Sequence, residues 1–540
     1  MSEVIIIGAG LAGLSASLVL AENGRKVRLV SSQPSERAQS VLAAGGFNAA
    51  VDTMGENDCP ALHFEDTMRG GAYLADPNAV EGLTNAAPRL LERLTALGVP
   101  FNMIGGRTAL RSFGGQRKKR TAYSKSSTGK MIMTALTDEV RKYEAAGLVK
   151  RYSHHEFVRL MVHGGSCAGA VICDTFSGKS IALCGAVILC CGGLNGFFPG
   201  MTTGSSQNSG SVQAKVFSRG VDMANLEMIQ YHPTTVGIPG KRCLVSEAAR
   251  GEGGRLYIMR GGKKWYFMEA KYPELKNLMP RDVVSREMYL VRRQPECEGG
   301  VYLDMTELSD DIWSSRLYDL RCELREQLGL DPAAAPIPVR EGIHYFMGGI
   351  YVDSAHRTSM KGLYAAGECA CQYHGANRLG GNSMLGAVYG GEIAAKTVIA
   401  EYDEGDSEYT EVPINDTISE YSPVLAERIG NILISALGIV RNENGLKKAL
   451  EELSDTEREY SRLNDTDRAR IQLARAMLLS ALERRESRGA HFREDYPEPN
   501  EAYRKTLRAS FVNGSVSLRF EDIPDRRVPH GDKDRHFTQK

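Results

Sequence analysis

A short apolar segment near the start of the chain, followed by three closely spaced glycines, constrains the fold more than any other feature. The residues Val4 to Ile7 are all β-branched and predict a buried parallel strand. Gly8, Gly10 and Gly13 permit a tight turn, a close approach to a pyrophosphate and the close packing of a helix that begins there. The pair Asn23-Gly24 is a C-cap signal for that helix. The segment therefore predicts a nucleotide-binding turn between a strand and a helix.

The next strand, predicted at Val27 to Val30, completes a βαβ unit but lacks the acidic residue that usually follows it. Ser31 and Ser32 stand about 20 residues beyond the glycines, where a carboxylate would bind the ribose hydroxyls of NAD. An ordinary NAD site is therefore disfavoured.

The composition of the chain excludes several classes of function. The 66 Lys and Arg balance the 66 Asp and Glu, and the most basic run, Arg117 to Arg120, is too short for a nucleic-acid surface. The longest apolar run, Ile181 to Cys191, has about half the length of a membrane span and predicts one buried strand. We therefore expect no nucleic-acid partner and no direct membrane insertion. Because the first strand begins near residue 3, we also expect no signal or transit peptide, and a cytoplasmic location.

The eleven cysteines form neither a CxxC motif nor a ferredoxin-like series. The chain is therefore expected to hold no iron–sulfur cluster and no zinc of its own.

The pattern of an apolar strand followed by glycines occurs twice more, at Ile181 to Gly193 and at Gly362 to Glu368. We interpret both as returns of the chain to the same nucleotide, so the polar, Gly- and Arg-rich segment between them is interpreted as an insertion. The prediction is an α/β protein with a Rossmann-like domain, an inserted α+β domain, a linker, a helical domain and an irregular tail. Their predicted limits are 1–229 and 346–405, 230–345, 403–416, 416–490 and 491–540.

Polar clusters in the inserted segment and just after it supply what a dicarboxylate site beside a flavin requires. Forked guanidinium groups and imidazole N–H groups can surround two carboxylates. Each cluster alone is compatible with a purely structural role, and only the set points to this chemistry. The clusters are Tyr231 to Thr234, Ser246 to Gly254, Pro280 to Asp282, His344 to Gly349 and Gly375 to Ser383.

From Val4 to about Arg493 the sequence resembles the flavoprotein subunit of succinate dehydrogenase and fumarate reductase, and most of all the menaquinone-linked bacterial form. The resemblance implies a Rossmann-like FAD-binding domain with an inserted capping domain, followed by a helical domain. The motifs that carry it occur in the family's order. They are Arg-x-Phe-Gly-Gly at 111 to 115, Arg120-Thr121 with Thr128-Gly129, His-Pro-Thr at 232 to 234, Glu-x-x-Arg-Gly-Glu-Gly-Gly at 247 to 254, Pro-Arg-Asp at 280 to 282, His-Tyr-x-Met-Gly-Gly at 344 to 349, Ala-Gly-Glu-Cys at 366 to 369 and Glu486 to His491.

The resemblance also implies roles for individual residues. Arg281 would donate the proton to a substrate carbon, and Glu247 and Arg250 would return that proton from solvent. A guanidinium is a weak acid, so it can donate only if a neighbour reprotonates it at once. The flavin would exchange a hydride with the other carbon of fumarate or succinate. The residues implied to bind substrate or line its cavity are His232, Ser246, His344, Arg378, Phe113, Met347 and Gly381.

The small residues Ala43 to Gly46 leave room for a flat, bulky group against the backbone. The resemblance places the flavin there. The residues expected to contact FAD are Gly8, Gly10, Leu11, Ala12, Gly13, Ser31, Gln39, Ser40, Ala43, Gly45, Gly46, Gly192, Gly193, Glu368, Asn382, Ser383 and Leu385.

Two positions depart from the family's pattern. Gln39 stands where the family usually carries the histidine that bonds covalently to the flavin, and glutamine cannot form that bond. We therefore predict non-covalent FAD and a preference for fumarate reduction. Ala44 stands where the family has Gln or Glu.

Two other functions remain open at this stage. L-Aspartate oxidase shares the architecture and many of the motifs, and it binds FAD without a covalent bond. A catalytically silent electron-relay subunit is the other alternative, although it would not need the set of buried cations. For the main prediction, the family implies an iron–sulfur subunit as partner and, through it, a membrane anchor, which would place the chain peripherally on the cytoplasmic face of the membrane.

Overall fold

The computed structural model describes residues 3–205, 207–402, 412–414, 416, 421–460 and 462–526. The predicted linker at 403–416 therefore lies mostly outside the described residues, as does the end of the predicted tail. The strands are β1 (Val4–Ile7), β2 (Val27–Ser31), β3 (Phe47–Asn48), β4 (Met103–Ile104), β5 (Arg107–Thr108), β6 (Leu110–Arg111), β7 (Thr121–Ala122), β8 (Val149–Ser153), β9 (His155–His163), β10 (Ser166–Asp174), β11 (Ser180–Cys184), β12 (Ala186–Leu189), β13 (Met223–Ala224), β14 (Ile229–Ile238), β15 (Lys241–Leu244), β16 (Arg255–Arg260), β17 (Lys263–Trp265), β18 (Glu298–Asp304), β19 (Ile337–Phe346), β20 (Gly349–Tyr351), β21 (Leu363–Ala365), β22 (Ala370–Cys371), β23 (Val412–Ile414), β24 (Lys505–Val512) and β25 (Ser515–Asp522).

The helices lie among these strands, and the last three follow one another directly. They are α1 (Leu11–Glu22), α2 (Pro60–Gly70), α3 (Pro77–Ala96), α4 (Thr128–Ala145), α5 (Ser211–Phe217), α6 (Ala248–Gly251), α7 (Phe267–Lys271), α8 (Arg281–Arg292), α9 (Asp310–Ser314), α10 (Tyr318–Leu328), α11 (Asn382–Glu401), α12 (Pro423–Ala436), α13 (Glu443–Glu459) and α14 (Asp465–Glu483).

The predicted βαβ unit is confirmed and forms the centre of a five-stranded sheet. Its order is β21-β12-β1-β2-β8, and every pair in it is parallel. The glycine turn sits where β1 meets α1 and could not carry side chains. A Cβ at Gly8 would lie 2.1 Å from the carbonyl oxygen of Cys190, and one at Gly13 would lie 1.8 Å from the carbonyl oxygen of Gly8. Helix α1 can therefore begin directly against the end of β1.

The apolar run from Ile181 to Cys191 is two strands, so the prediction of a single strand is wrong. The chain turns at Gly185, whose φ is +137°. Strand β11 pairs with β10 in an antiparallel sheet, whereas β12 enters the central sheet between β1 and β21. The predicted returns to the nucleotide fold are nevertheless present in β12 and β21.

The middle of the chain forms a separate antiparallel sheet with the order β15-β14-β19-β18-β16-β17. Helix α8 packs on it, and their apolar residues form a core that includes Val284, Met288 and Leu303. This part has the mixed α and β content that we expected of an inserted domain. Its predicted limits, 230 and 345, fall inside β14 and β19, and the division of the chain into domains stays a prediction.

The prediction of an irregular tail beyond residue 491 is wrong for its described residues, because β24 and β25 form a hairpin. Strand β24 also pairs with β13. The hairpin turn is Asn513-Gly514, with both φ values positive, and this dipeptide between alternating residues is a strong hairpin signal in the sequence. Buried Leu507 and Ala509 alternate with Arg508, which binds Asp222. The hairpin is thereby attached to β13, the strand that leads into β14.

Among the described residues, no helix has both the length and the apolar composition that a bilayer span requires. The same residues contain no group of three potential metal ligands.

Candidate active site

A cavity of about 980 Å³ extends from the carboxyl end of the central sheet to the antiparallel sheet of the middle segment. It brings together most of the residues that the sequence analysis singled out, both those expected to contact the cofactor and those expected to bind or protonate the substrate. Those that line it are Gly8, Gly10, Leu11, Ala12, Ser31, Gln39, Ser40, Ala43, Gly45, Gly46, Phe113, Gly192, His232, Ser246, Glu247, Arg281, His344, Glu368, Arg378, Gly381 and Ser383.

The nucleotide end of this cavity fits FAD. The tight turn at Gly8 brings the backbone to the start of α1, and a helix N-terminus favours the phosphates of a dinucleotide. The hydroxyl of Ser40 accepts a hydrogen bond from the Leu11 N–H at 3.3 Å, which fixes the segment that lies along the cavity. The hydroxyl of Ser31 is buried without a hydrogen-bond partner among the described residues, so it remains available to a ligand.

Four residues predicted to contact the cofactor do not line the cavity: Gly13, Gly193, Asn382 and Leu385. Gly13 is needed for packing, and Leu385 is a residue of α11 whose side chain lies in the core. A Cβ at Gly193 would lie 2.5 Å from a carboxylate oxygen of Glu368, so this glycine makes room for a cavity residue. The side chain of Asn382 accepts a hydrogen bond from Asn48 at 2.7 Å and supports the wall from behind.

Met347 is not among the described residues that line the cavity, contrary to our expectation that it forms a wall. Its side chain is buried in a small apolar cluster with Leu74, Met228 and Ala376. Tyr345 belongs to the same cluster and also lines the cavity, so Met347 contacts the site only through its neighbours in this cluster.

Glu247 and Arg281 form a buried, charge-assisted pair at the wall of the cavity. Arg281 is the first residue of α8, and its Nε and Nη2 lie 2.8 and 2.6 Å from Oε2 of Glu247. The other oxygen of Glu247 accepts the Gly114 N–H at 2.8 Å. Burial alone would raise the pKa of Glu247, but the charges of Arg281 and Arg250 and these hydrogen bonds lower it to about 2. The carboxylate is therefore ionised at neutral pH.

Arg250 lies behind this pair and does not line the cavity. Its Nη2 is 3.5 Å from Oε1 of Glu247, and its Nη1 donates to the carbonyl oxygen of Asn277. The carboxylate of Glu247 is thus in contact with Arg281 on the cavity side and with Arg250 on the other. The three charged groups lie in a row, with Arg281 within hydrogen-bond distance of Glu247 and Arg250 farther from it.

His232 and His344 come from neighbouring antiparallel strands, β14 and β19, and their ring centroids lie 5.1 Å apart. Nε2 of His232 is buried without a partner among the described residues, and Nδ1 of His344 lies 2.7 Å from the hydroxyl of Thr203. Burial, and next the charge of Arg281, hold the pKa of both imidazoles well below the ordinary value. Both rings are therefore neutral, and each has one N–H to donate.

Arg378 lies in the loop before α11 and lines the same cavity as the histidines. Its guanidinium carbon is 4.4 Å from the centroid of the Tyr345 ring, and its Nε has no hydrogen-bond partner among the described residues. Burial, together with the nearby charge of Arg281, lowers the pKa of Arg378 to about 9, so it remains a cation at neutral pH. A buried cation with an unused donor is an anion-binding group.

Three further residues complete the site, and the sequence analysis did not assign them. Gln230 accepts from Nη1 of Arg281 at 3.2 Å, while its amide donates to the backbone carbonyl of Arg378. Thr203 orients His344, and Tyr345 stacks on Arg378. Gln230 lies two residues before the His-Pro-Thr motif and Tyr345 is part of the His-Tyr-x-Met-Gly-Gly motif, so their positions in the sequence were a usable signal. Thr203 gave none.

Gln39, at the position of the family's flavin-linking histidine, lines the cavity and is held by the backbone. Its Oε1 accepts the N–H of Ser205 at 2.5 Å. Ala44 also lines the cavity, and its carbonyl oxygen accepts from Nη2 of Arg111 at 3.0 Å. The backbone of this segment is therefore fixed without a polar side chain at position 44.

The fold and the cavity define a flavin-dependent oxidoreductase with an anion-binding site beside the nucleotide. Two family models match the chain: "FAD binding domain" at residues 3–384 and "Fumarate reductase flavoprotein C-term" at residues 426–535. The chain belongs to the succinate dehydrogenase/fumarate reductase flavoprotein family, so FAD is its cofactor and it is an oxidoreductase of the class that acts on CH–CH groups.

The relatives include both of the enzyme types that the sequence analysis considered. A succinate dehydrogenase flavoprotein subunit of Bacillus subtilis is 35% identical, and the match covers 96% of each chain. An L-aspartate oxidase of Pyrococcus furiosus is 33% identical over 93% of this chain and 97% of its own length. Among solved structures, the E. coli quinol fumarate reductase subunit FrdA, in a mutant form, is 27% identical. It superposes with a TM-score of 0.87 over 98% of this chain and 97% of that one.

We expect Glu368 to make stability depend on pH. Burial raises the pKa of this carboxyl from its ordinary value of 4.5 to about 7. The folded protein therefore binds a proton that the unfolded chain has released, and this stabilisation is lost as the pH rises from about 5 to 8. In ligand-free protein, the wild-type Tm should fall over that range relative to Glu368→Gln. A constant difference in Tm at every pH would contradict the assignment.

Proposed function

We propose that the chain interconverts fumarate and succinate and works mainly as a fumarate reductase. The observation that carries the proposal is the Glu247–Arg281 pair at the cavity wall, opposite two neutral histidines and the cation Arg378. This set offers a proton donor for one carbon of a substrate and separate anion-binding groups for its carboxylates. The overall change is the addition of two electrons and two protons to fumarate.

In this proposal the carboxylates of the substrate are bound by His232, Ser246, His344 and Arg378. Nε of Arg378 is a buried donor without a partner, and Nε2 of His232 is another in the tautomer whose Nδ1 accepts the Thr234 N–H; a carboxylate would satisfy both. Because both histidines are neutral, the positive charge of the site is concentrated on the arginines. A dianion is therefore favoured over a monoanion.

The proton is delivered by Arg281 from its guanidinium and is returned through Glu247. Two hydrogen bonds from Arg281 to Oε2 hold the carboxylate where it can pass a proton directly, and Arg250 lies on its far side. A nearby base removes the objection that a guanidinium is too weak an acid, since the arginine is not left neutral. FAD, when bound, supplies the hydride chemistry at the other carbon.

Phe113 would exclude water from the reacting atoms. Its ring is buried, and a Cβ at Gly45 or Gly380 would lie 3.5 or 2.7 Å from it, so both neighbouring backbone segments approach it closely. A dry site strengthens the interaction of charges and prevents the loss of the transferred proton.

We further propose that the chain is the catalytic subunit of a complex with an iron–sulfur subunit and a membrane anchor, on the cytoplasmic face of the membrane. The support is that the B. subtilis relative is named as a subunit and that one similar structure, with a TM-score of 0.86, is a quinol–fumarate reductase with menaquinol.

L-Aspartate oxidase is the second candidate, favoured by Gln39 and by the P. furiosus relative. Against it, Arg-x-Phe-Gly-Gly and His-Tyr-x-Met-Gly-Gly follow the succinate/fumarate pattern. A silent relay subunit is disfavoured because it would gain nothing from a buried cation such as Arg378.

We expect purified protein to reduce fumarate with reduced methyl viologen and Arg281→Lys to lower kcat by about 10³-fold, since the shorter ammonium loses the double contact with Glu247. The matched control is Arg293→Lys, an exposed arginine just after α8, which should not change kcat. Formation of hydrogen peroxide and iminosuccinate from aspartate, without fumarate reduction, would replace this proposal by the oxidase. Unchanged turnover in Arg281→Lys would refute the mechanism.

We expect acid precipitation to release FAD into the supernatant, because the side chain of Gln39 cannot form the bond that the family's histidine makes. The measurement is the flavin absorbance of supernatant and washed pellet. Yellow colour that stays with the pellet would show a covalent link through another residue and would contradict non-covalent binding.

A further inference from the structure

Lys215 lies on α5 and lines the nucleotide end of the cavity, but nothing in the chemistry above uses it. It is half-buried, and its Nζ donates to the carbonyl oxygen of Phe157 on β9 at 3.0 Å. An ammonium group has three N–H donors, so one carbonyl leaves most of its capacity unused. Burial lowers the pKa of Lys215, and the carboxylate of the exposed Glu156 opposes that effect only partly.

The position of Lys215 relative to Ser31 identifies which part of a dinucleotide it would meet. Ser31 ends β2 and pairs with Ser153 at the end of β8. The chain then passes directly into β9, which carries Glu156 and Phe157 along the same cavity. The end of the second strand of a βαβ unit is where the adenosine ribose is bound. Lys215 is thus attached to the strand that borders the adenosine end.

Ser31 supplies the second, independent observation. Its hydroxyl is buried and has no hydrogen-bond partner among the described residues, although it lines the cavity. A buried hydroxyl without a partner is unfavourable, and a ligand hydroxyl would satisfy it. Ser31 also stands where the acidic residue that binds ribose is missing.

We propose that Lys215 and Ser31 together bind the adenosine half of FAD. Lys215 donates to the nitrogen or oxygen acceptors of the adenine or ribose, and the Ser31 hydroxyl pairs with a ribose hydroxyl. A donor cation and a neutral hydroxyl thereby replace the single carboxylate of an NAD-type site. The proposal rests on FAD as the cofactor and not on the identity of the substrate.

The test compares the affinity of apoprotein for FAD and for FMN, which lacks the adenosine. Apoprotein from riboflavin-starved cells is titrated with each flavin by fluorescence anisotropy, without any turnover measurement. Lys215→Met should raise the Kd for FAD by about 10-fold or more and leave that for FMN unchanged, since one charge-assisted hydrogen bond is lost. Ser31→Ala should raise the Kd for FAD about 5-fold. Lys215→Arg should retain most of the affinity.

The matched control is Lys179→Met, an exposed lysine in the turn before β11, which should change neither Kd. An unchanged Kd for FAD in Lys215→Met, or an equal loss for FAD and FMN, would overturn the proposal, because the contact would then not be to adenosine. If Lys215→Met does not fold, Lys215→Gln, which keeps a hydrogen-bonding group without the charge, is titrated in the same way. An unchanged Kd for FAD in Lys215→Gln, or an equal loss for FAD and FMN, would then overturn the proposal.

Discussion

The ion pair between Glu247 and Arg281 is the constraint on which the rest of the site depends. Neither side chain is more than 7% exposed, and separating the two would leave an uncompensated charge in the interior. The pair is held from three sides, by the Gly114 N–H, by Gln230 and by Arg250. The pair also affects the ionisation of nearby groups. After burial, the charge of Arg281 is the main cause of the lowered pKa of both histidines and of Arg378.

The central parallel sheet and the antiparallel sheet of the middle segment position different parts of the site around this pair. The central parallel sheet positions the nucleotide end, where the glycine turn allows backbone to approach backbone at distances that no side chain would permit. The antiparallel sheet positions the two histidines on adjacent strands. The loop before α11 closes the site between them. A Cβ at Gly380 would lie 3.0 Å from Oε2 of Glu247 and 3.1 Å from Nη2 of Arg281, so this backbone can pass the ion pair only as glycine.

Local patterns in the sequence correctly predicted the strand, turn and helix at Val4 to Glu22, because these elements depend on neighbours in the chain. Local patterns failed where contacts between residues distant in the sequence determine the structure. The apolar run around Gly185 divides between two sheets, and Met347 faces a core cluster behind the site. The hydroxyl that orients His344 comes from Thr203, 141 residues earlier, and only the folded chain could identify it. The hairpin at Asn513-Gly514 is different, since its turn signal was present in the sequence.

The rate of fumarate reduction in Glu247→Gln, measured with saturating fumarate and reduced viologen, directly tests whether Glu247 returns the proton to Arg281. Glutamine keeps the shape and can still accept from Gly114, but it cannot take up and return a proton as a carboxylate does. We predict a fall in kcat of about 100-fold or more with FAD content unchanged, whereas Glu274→Gln, at an exposed position, should behave as wild type. A kcat for Glu247→Gln equal to that of the wild type would contradict the claim that the buried carboxylate reprotonates Arg281.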